Sequence, residues 1–315
     1  EIVISDNCST DHTSDIVFEI LKANSNISIK YNKNKSNVGF DNNCVIGSKL
    51  AKGKFLWFLS DDDELKSGAL NNIISSIEKN LNIKFIFLNF SLITPGWKEA
   101  TPLYLEEDLL VDCNLLFKKT KLFFSCITSC VFLNEAFKKT NTINFIGTFW
   151  VHMYIVREIA STGDSLIIST PIFIFKRPTL IDSRRSANKN KTTEREFFID
   201  AHIKYLHFAN TLGFPYTNDT KKYAIQLGWR DNLSQILSYK ITTEKYDLNE
   251  IMGIIKELKS FFFLKFQFWV IHIPFLVSPS LVSKLFFYIK LSFVKFKLMF
   301  KPFIPNKLWK FYKTK

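Results

Sequence analysis

Phe55, Leu56, Trp57, Phe58 and Leu59 run straight into Ser60 and then into three carboxylates, Asp61, Asp62 and Asp63. An apolar run this short fits a strand buried on both faces. The three acids then sit on the turn that leaves its C-terminal end, where open α/β sheets bind their ligands. Adjacent carboxylates repel one another unless a cation offsets them. Hard divalent ions take oxygen ligands, commonly one or two carboxylates plus substrate phosphates. The feature therefore points to a metal–diphosphate site, with a solvated acidic turn as the alternative.

The residues upstream repeat the pattern. Ile2, Val3 and Ile4 lead into Asp6, Asn7, Cys8, Ser9, Thr10 and Asp11. Thr10 or Asp11 is placed to cap a helix whose apolar face is Ile16, Val17, Ile20 and Leu21. Asn37, Val38, Gly39, Phe40, Asp41, Asn42 and Asn43 then form a turn before a helix over 43–51, closed by Gly53. The order is strand, helix, strand, helix, strand, with the polar motifs in the loops.

This ordered set resembles the inverting family 2 glycosyltransferases of the GT-A fold. Asp6, the Ser9–Thr10–Asp11 turn, Asn37 with Gly39, and Asp61 to Asp63 match that family in order and spacing over residues 1 to about 75. The wording is similar to the abequosyltransferase-like O-antigen branch. The resemblance implies an α/β chain with a Rossmann-like mixed sheet flanked by helices. It also implies that the family's first strand is not in this sequence, which begins without Met at what reads as the second strand. A central strand left unpaired in this way exposes backbone groups.

The same resemblance distributes roles. Asp6 holds a uracil-type ring NH, unless it only caps a helix. Asn7, Ser9, Asp11, Asn37, Gly39 and Asn43 belong to the donor-binding loops. Asp63 ligates Mg²⁺ or Mn²⁺, with Asp61 a further metal candidate. Asp61 or Asp62 touches the ribose or an ion-bound water. Arg184 and Arg185 clamp the diphosphate or form a solvated basic patch. The family's general base opens a helix about 90 residues after the acidic cluster. Here Thr148 and Phe149 stand at that place and neither is acidic. His152 is the nearest group of suitable pKa, although a lone His on an apolar helix also suits a core. Asp112 and Glu107 are less supported, and a lost base would leave a weak or inactive enzyme.

Charge divides the chain. The total is +13, yet residues 1–257 hold 31 Lys and Arg against 29 acids, while residues 258–315 hold 11 Lys and no acid. That last segment interleaves its Lys with Phe, Trp and Tyr, the composition of an in-plane membrane anchor. Pro274 and Pro279 interrupt its uncharged stretch, so a span of about 20 apolar residues is disfavoured. A basic helical hairpin packed on the core is the alternative. Its Phe content exceeds what base stacking requires, which argues against nucleic acid as a partner. Five cysteines without metal-ligand spacing suit a reducing compartment.

The middle of the chain predicts a helix over 68–79 with Leu70, Ile73, Ile74 and Ile77 inward, and a buried strand over 84–90. A helix over 149–161 and a strand over 166–175 follow. Residues 182–193 read as a polar, basic loop, and helices follow at 194–212, 219–239 and 248–260. The expected division is a catalytic domain over 1–190, a helical extension over 191–260 and a basic aromatic tail over 261–315. Together these features describe a cytoplasmic enzyme, peripheral on the inner face of the plasma membrane. It moves a sugar from a nucleotide-diphospho sugar to a polyprenyl-diphosphate-linked saccharide. A catalytically inactive membrane scaffold of the same fold and a basic-tailed nucleic-acid-binding protein are the alternatives.

Overall fold

The structure is a computed structural model that describes residues 1–80, 82–93, 99–176, 195–242, 248–262 and 268–277. The chain forms two compact units. The first comprises 1–193 and 200–229, the second 194–199 and 230–315.

In the first unit, β1 (Ile2–Asp6) and β2 (Ile29–Lys33) make a small parallel sheet in which Asp6 lies opposite Lys33. Helix α1 (Thr13–Ala23) connects them, as a parallel crossover requires. Helix α2 (Phe40–Leu50) packs on β1. Gly47 allows that approach, since a Cβ there would lie 3.2 Å from Ser5 Cβ.

The larger sheet has six strands. Its order is β3 (Phe55–Trp57), β7 (Cys130–Leu133), β5 (Phe85–Ile93), β8 (Ser165–Lys176) and β4 (Glu64–Leu65), with β6 (Leu109–Val111) also on β8. Only β5 and β8 run parallel, so the sheet is mixed as expected. Phe85, Ile86, Phe87 and Leu88 are fully buried at its centre, which is why that run reads as continuously apolar. The β5–β8 register shifts between Leu88 and Phe90. Buried Asn89 satisfies the exposed backbone there, donating to Ser169 O at 2.7 Å and Leu103 O at 3.1 Å and accepting from Phe90 N at 2.9 Å.

Helices α3 (Ala69–Lys79), α4 (Cys113–Thr120), α5 (Asn134–Lys139) and α6 (Val151–Ala160) flank this sheet, and α7 (Ala201–Asn210) belongs to the same unit. Helix α8 (Asn218–Thr242) begins in the first unit and ends in the second, where α9 (Leu248–Phe262) follows.

Several expectations shift. The apolar run before the triple Asp is a three-residue strand, and only Leu56 of the five residues is buried while Leu59 is exposed. The reason is position: β3 ends the sheet order and pairs only with β7 among the described residues. On α1, Val17 alone is buried and Ile16 and Ile20 are exposed. On α3 the inward set is Ala69, Ile73 and Ser76, with Leu70 and Ile74 outside. On both helices the buried stripe is thinner than the apolar one. Arg184, Arg185, the 182–193 loop and residues 278–315 of the tail lie outside the described residues. Among the described residues, no helix is long and apolar enough to cross a membrane.

Candidate active site

The site is built at the carboxyl ends of β1 and β3. Asp6 closes β1 and is buried, 5% exposed. It accepts from Ser9 N at 2.7 Å and from the Tyr31 hydroxyl at 2.7 Å, and Lys33 Nζ lies 3.9 Å away. Burial alone would raise its pKa. The bonds from Ser9 and Tyr31 and the Lys33 charge outweigh burial and hold the carboxyl below its ordinary value. Asp6 is therefore an ionised acceptor. Tyr31 and Lys33, which complete its surroundings, carried no distinguishing signal in the sequence. Cys8 takes a left-handed conformation at φ 69°, which turns the chain sharply after Asn7.

A web of asparagines joins the first two loops. Asn7 donates to Asn37 Oδ1 at 2.8 Å and accepts from Val38 N at 2.9 Å and Asn34 Nδ2 at 3.2 Å. Asn37 Oδ1 also accepts from Gly39 N at 2.9 Å, with Gly39 at φ 83°. Asn43 donates to Ser5 O and accepts from Ser5 Oγ and Asn34 Nδ2, all within 2.9 Å. Asn7, Asn37, Gly39 and Asn43 thus come together, and their first task is to fix one loop on the other. Asp11 accepts from Thr13 N and Thr13 Oγ1 at the start of α1; the helix begins at Thr13 rather than directly after Asp11.

Ser60 to Asp63 form the turn after β3. Ser60 N donates to Thr128 Oγ1 at 3.0 Å and Ser60 Oγ to Asp62 Oδ1 at 2.6 Å. Trp57 Nε1 reaches Thr128 O at 2.8 Å. Both carboxylate oxygens of Asp63 are buried and neither makes a hydrogen bond of standard geometry. Burial raises its pKa, the nearby Thr128 side chain opposes this, and the charges of Asp62 and Asp61 add to the rise. A buried, unpaired carboxylate among like charges is costly. It suits a hard cation that also binds diphosphate. The described residues assemble no group of three or more metal-ligating side chains. An ion held here would thus draw other ligands from substrate and water.

His152 on α6 is 2% exposed, with Nε2 2.9 Å from Ser125 O and Nδ1 buried without a partner. Burial lowers its pKa to about 4, against a smaller opposing effect of the Ser125 contact. So low a pKa and so little exposure make it a poor general base at neutral pH and a good packing residue, set edge-on to Phe40. Asp112 is spent as the cap of α4, accepting from Leu115 N at 2.7 Å, and Glu107 is exposed. A further carboxylate, Asp41, carries no distinguishing signal in the sequence. It is buried and accepts from Phe149 N at 2.9 Å and Val151 N at 3.3 Å, at the entry to α6.

A buried acceptor at the end of β1, in the small parallel sheet, and an unpaired carboxylate in the turn after β3, at the edge of the mixed sheet, fit a glycosyltransferase of the GT-A fold. A crystal structure of S. aureus TarS shares that fold, with a TM-score of 0.54 at 14% identity, over 84% of this chain and 43% of its own. Residues 1–140 match the description Glycosyl transferase family 2. The chain is similar to abequosyltransferase RfbV of Salmonella typhimurium, 27% identical over 79% of this chain and 78% of that protein. It is also similar to a GalNAc(5)-diNAcBac-PP-undecaprenol beta-1,3-glucosyltransferase of Campylobacter jejuni, 32% identical over 49% of this chain and 50% of that protein.

Proposed function

We propose that the chain moves a sugar from a nucleotide-diphospho sugar to a hydroxyl of a polyprenyl-diphosphate-linked saccharide, in cell-surface polysaccharide or O-antigen synthesis. The observation that carries this reading is the pairing of an ionised, buried Asp6 with the unpaired carboxylate of Asp63 at two strand ends. Asp6 accepts a hydrogen bond from a ring NH of the nucleotide base. Asn7, Ser9, Asn37, Gly39 and Asn43 hold the loops that line the nucleotide. Asp63, with Asp61, would hold Mg²⁺ or Mn²⁺, and Asp61 or Asp62 touches the ribose or an ion-bound water. An ion bound by Asp63 and Asp61 would supply Lewis-acid neutralisation of the departing diphosphate. In a single inverting displacement the acceptor oxygen bonds to the anomeric carbon, the bond to the diphosphate breaks with its electron pair leaving on the diphosphate, and the hydroxyl proton passes to water. The relative from C. jejuni, whose name carries a PP-undecaprenol saccharide, supports a lipid-linked acceptor. The basic aromatic tail supports a place on the inner face of the plasma membrane.

The test is a panel of UDP-, GDP-, CDP- and TDP-hexoses offered with and without Mn²⁺. Metal-dependent release of nucleoside diphosphate from one of them is expected. No release from any donor would sink the enzymatic reading and leave a scaffold of the same fold.

A further inference from the structure

Besides the carboxylate oxygens of Asp63, two acidic residues are buried as a whole among the described residues, Asp6 and Asp41. Asp6 has Lys33 beside it. No ion pair among the described residues involves Asp41. A charge removed from water without a counter-charge is expensive unless hydrogen bonds replace its hydration. Here the replacement is backbone: Phe149 N on Oδ2 and Val151 N on Oδ1. Burial still dominates, and with the amides of Val151, Phe149, Gly147 and Thr148 opposing it the pKa remains raised.

What those amides belong to matters more. Gly147 sits at φ 83° and Phe149 at φ 65°. A bulky non-glycine residue in that region is strained and persists only where its surroundings over-determine it. Three further contacts hold the same turn. Lys204 Nζ donates to Gly147 O at 2.7 Å and lies 4.6 Å from the centre of the Phe149 ring, and Trp150 Nε1 donates to Ala201 O at 2.8 Å. Beyond the turn, His152 contacts Ser125 O, and Thr128, three residues on, receives Ser60 N from the acidic turn. On its other side Asp41 lies two residues after Gly39, in the asparagine web. A path of hydrogen bonds joined by short stretches of chain therefore runs from the Asn37–Gly39 turn, through Asp41, to the turn that carries Asp63.

We propose that Asp41 is a positioning residue for the transfer reaction: its carboxylate locks the strained Gly147–Val151 turn and so holds the loops of the acidic site in register with the asparagine loops. This rests on the glycosyltransferase reading above. An amide at position 41 presents one acceptor oxygen and turns an NH₂ donor toward the other backbone N–H, so one of the two bonds is replaced by repulsion. The same change removes the buried charge. The two effects oppose each other in stability but not in geometry.

The experiment compares the full-length chain with Asp41→Asn and Asp41→Ala, using whichever nucleotide hexose of the panel the wild type hydrolyses with Mn²⁺. Misplaced site geometry lowers kcat far more than it changes ground-state binding. Asp41→Asn is expected to lower kcat by about tenfold or more while donor KM stays within about threefold. Its melting midpoint is expected to hold within a few degrees. Hydrogen exchange at the Phe149 and Val151 amides should quicken in both variants. Turnover within about twofold of wild type in both variants would overturn the proposal. So would a parallel fall of kcat, donor affinity and melting midpoint in Asp41→Asn, which marks a residue needed only for folding. A wild type that hydrolyses no donor in the panel defeats the parent reading and this one together. An active wild type with an indifferent Asp41 defeats only this one.

Discussion

Asp63 carries a charge that the empty fold would be more stable without. Its folded pKa is raised above the ordinary value by burial and by Asp62 and Asp61. The folded chain therefore binds the proton more tightly than the unfolded chain. The stabilising effect is fully present below the ordinary carboxylate range and is lost as pH rises through the raised value. Asp63→Asn should flatten that loss, seen as a smaller drop in melting midpoint between acid and neutral pH in metal-free buffer. The same variant should abolish Mn²⁺-dependent donor hydrolysis, because a neutral amide is a poor ligand for a hard cation. Unchanged Mn²⁺ dependence in Asp63→Asn would remove this residue from the metal site. His152 has the opposite sign. Its folded pKa of about 4 lies below the usual imidazole value. Stability is present above the unfolded pKa and falls as pH drops from about 6.5 toward 4, by about 3 kcal/mol at the limit. Urea titrations at several pH values should show that loss in the wild type and a smaller one in His152→Gln. A pH-independent difference between the two chains would show that His152 does not titrate on unfolding.

Among the elements, the contact between α2 and β1 is the most sensitive to a small change. A methyl at position 47 would meet Ser5 Cβ at 3.2 Å, and the branched side chain of Gly47→Val has no room without moving the helix. Overpacking of this kind costs about 1–3 kcal/mol. It also displaces Asn43 from Ser5, so donor affinity should fall along with the midpoint of denaturant unfolding. The bulge in β5 is a second such point. Asn89→Leu leaves Leu103 O, Ser169 O and Phe90 N without their partner in a fully buried place. A loss of about 2–4 kcal/mol is expected from the unsatisfied groups. Wild-type stability in that variant would mean that the backbone re-pairs once the side chain is gone.

For the whole molecule, the second unit constrains where the tail is cut. Phe262 and Leu276 are buried, so a deletion from 261 would remove core side chains along with the basic segment. A chain ending at Val277 keeps them and still lacks nine of the eleven tail lysines. Each lysine contributes about 1 kcal/mol near an anionic surface. That shorter chain should lose binding to phosphatidylserine-containing liposomes and keep hydrolysis of free donor. Full retention of liposome binding would place the membrane contact elsewhere.

The sequence by itself determined the alternation of strands and helices, the loops that bear Asp6, Asn37 and Asp61–Asp63, and the central buried strand at Phe85–Leu88. These are local facts: a short apolar run, a turn former and a carboxylate are legible within about ten residues of each other. Tertiary structure decided which apolar residues are buried on α1, α3 and β3, because that depends on what each element lies against. It also decided the role of His152, whose neighbours Phe40 and Ser125 are remote in sequence. Asp41 shows the limit most clearly. It stands in plain view within the Asn37–Asn43 motif, but its partners lie 108 and 110 residues away. No spacing rule spans that distance; only the packing of α2 against the entry to α6 brings the carboxylate and the amides together.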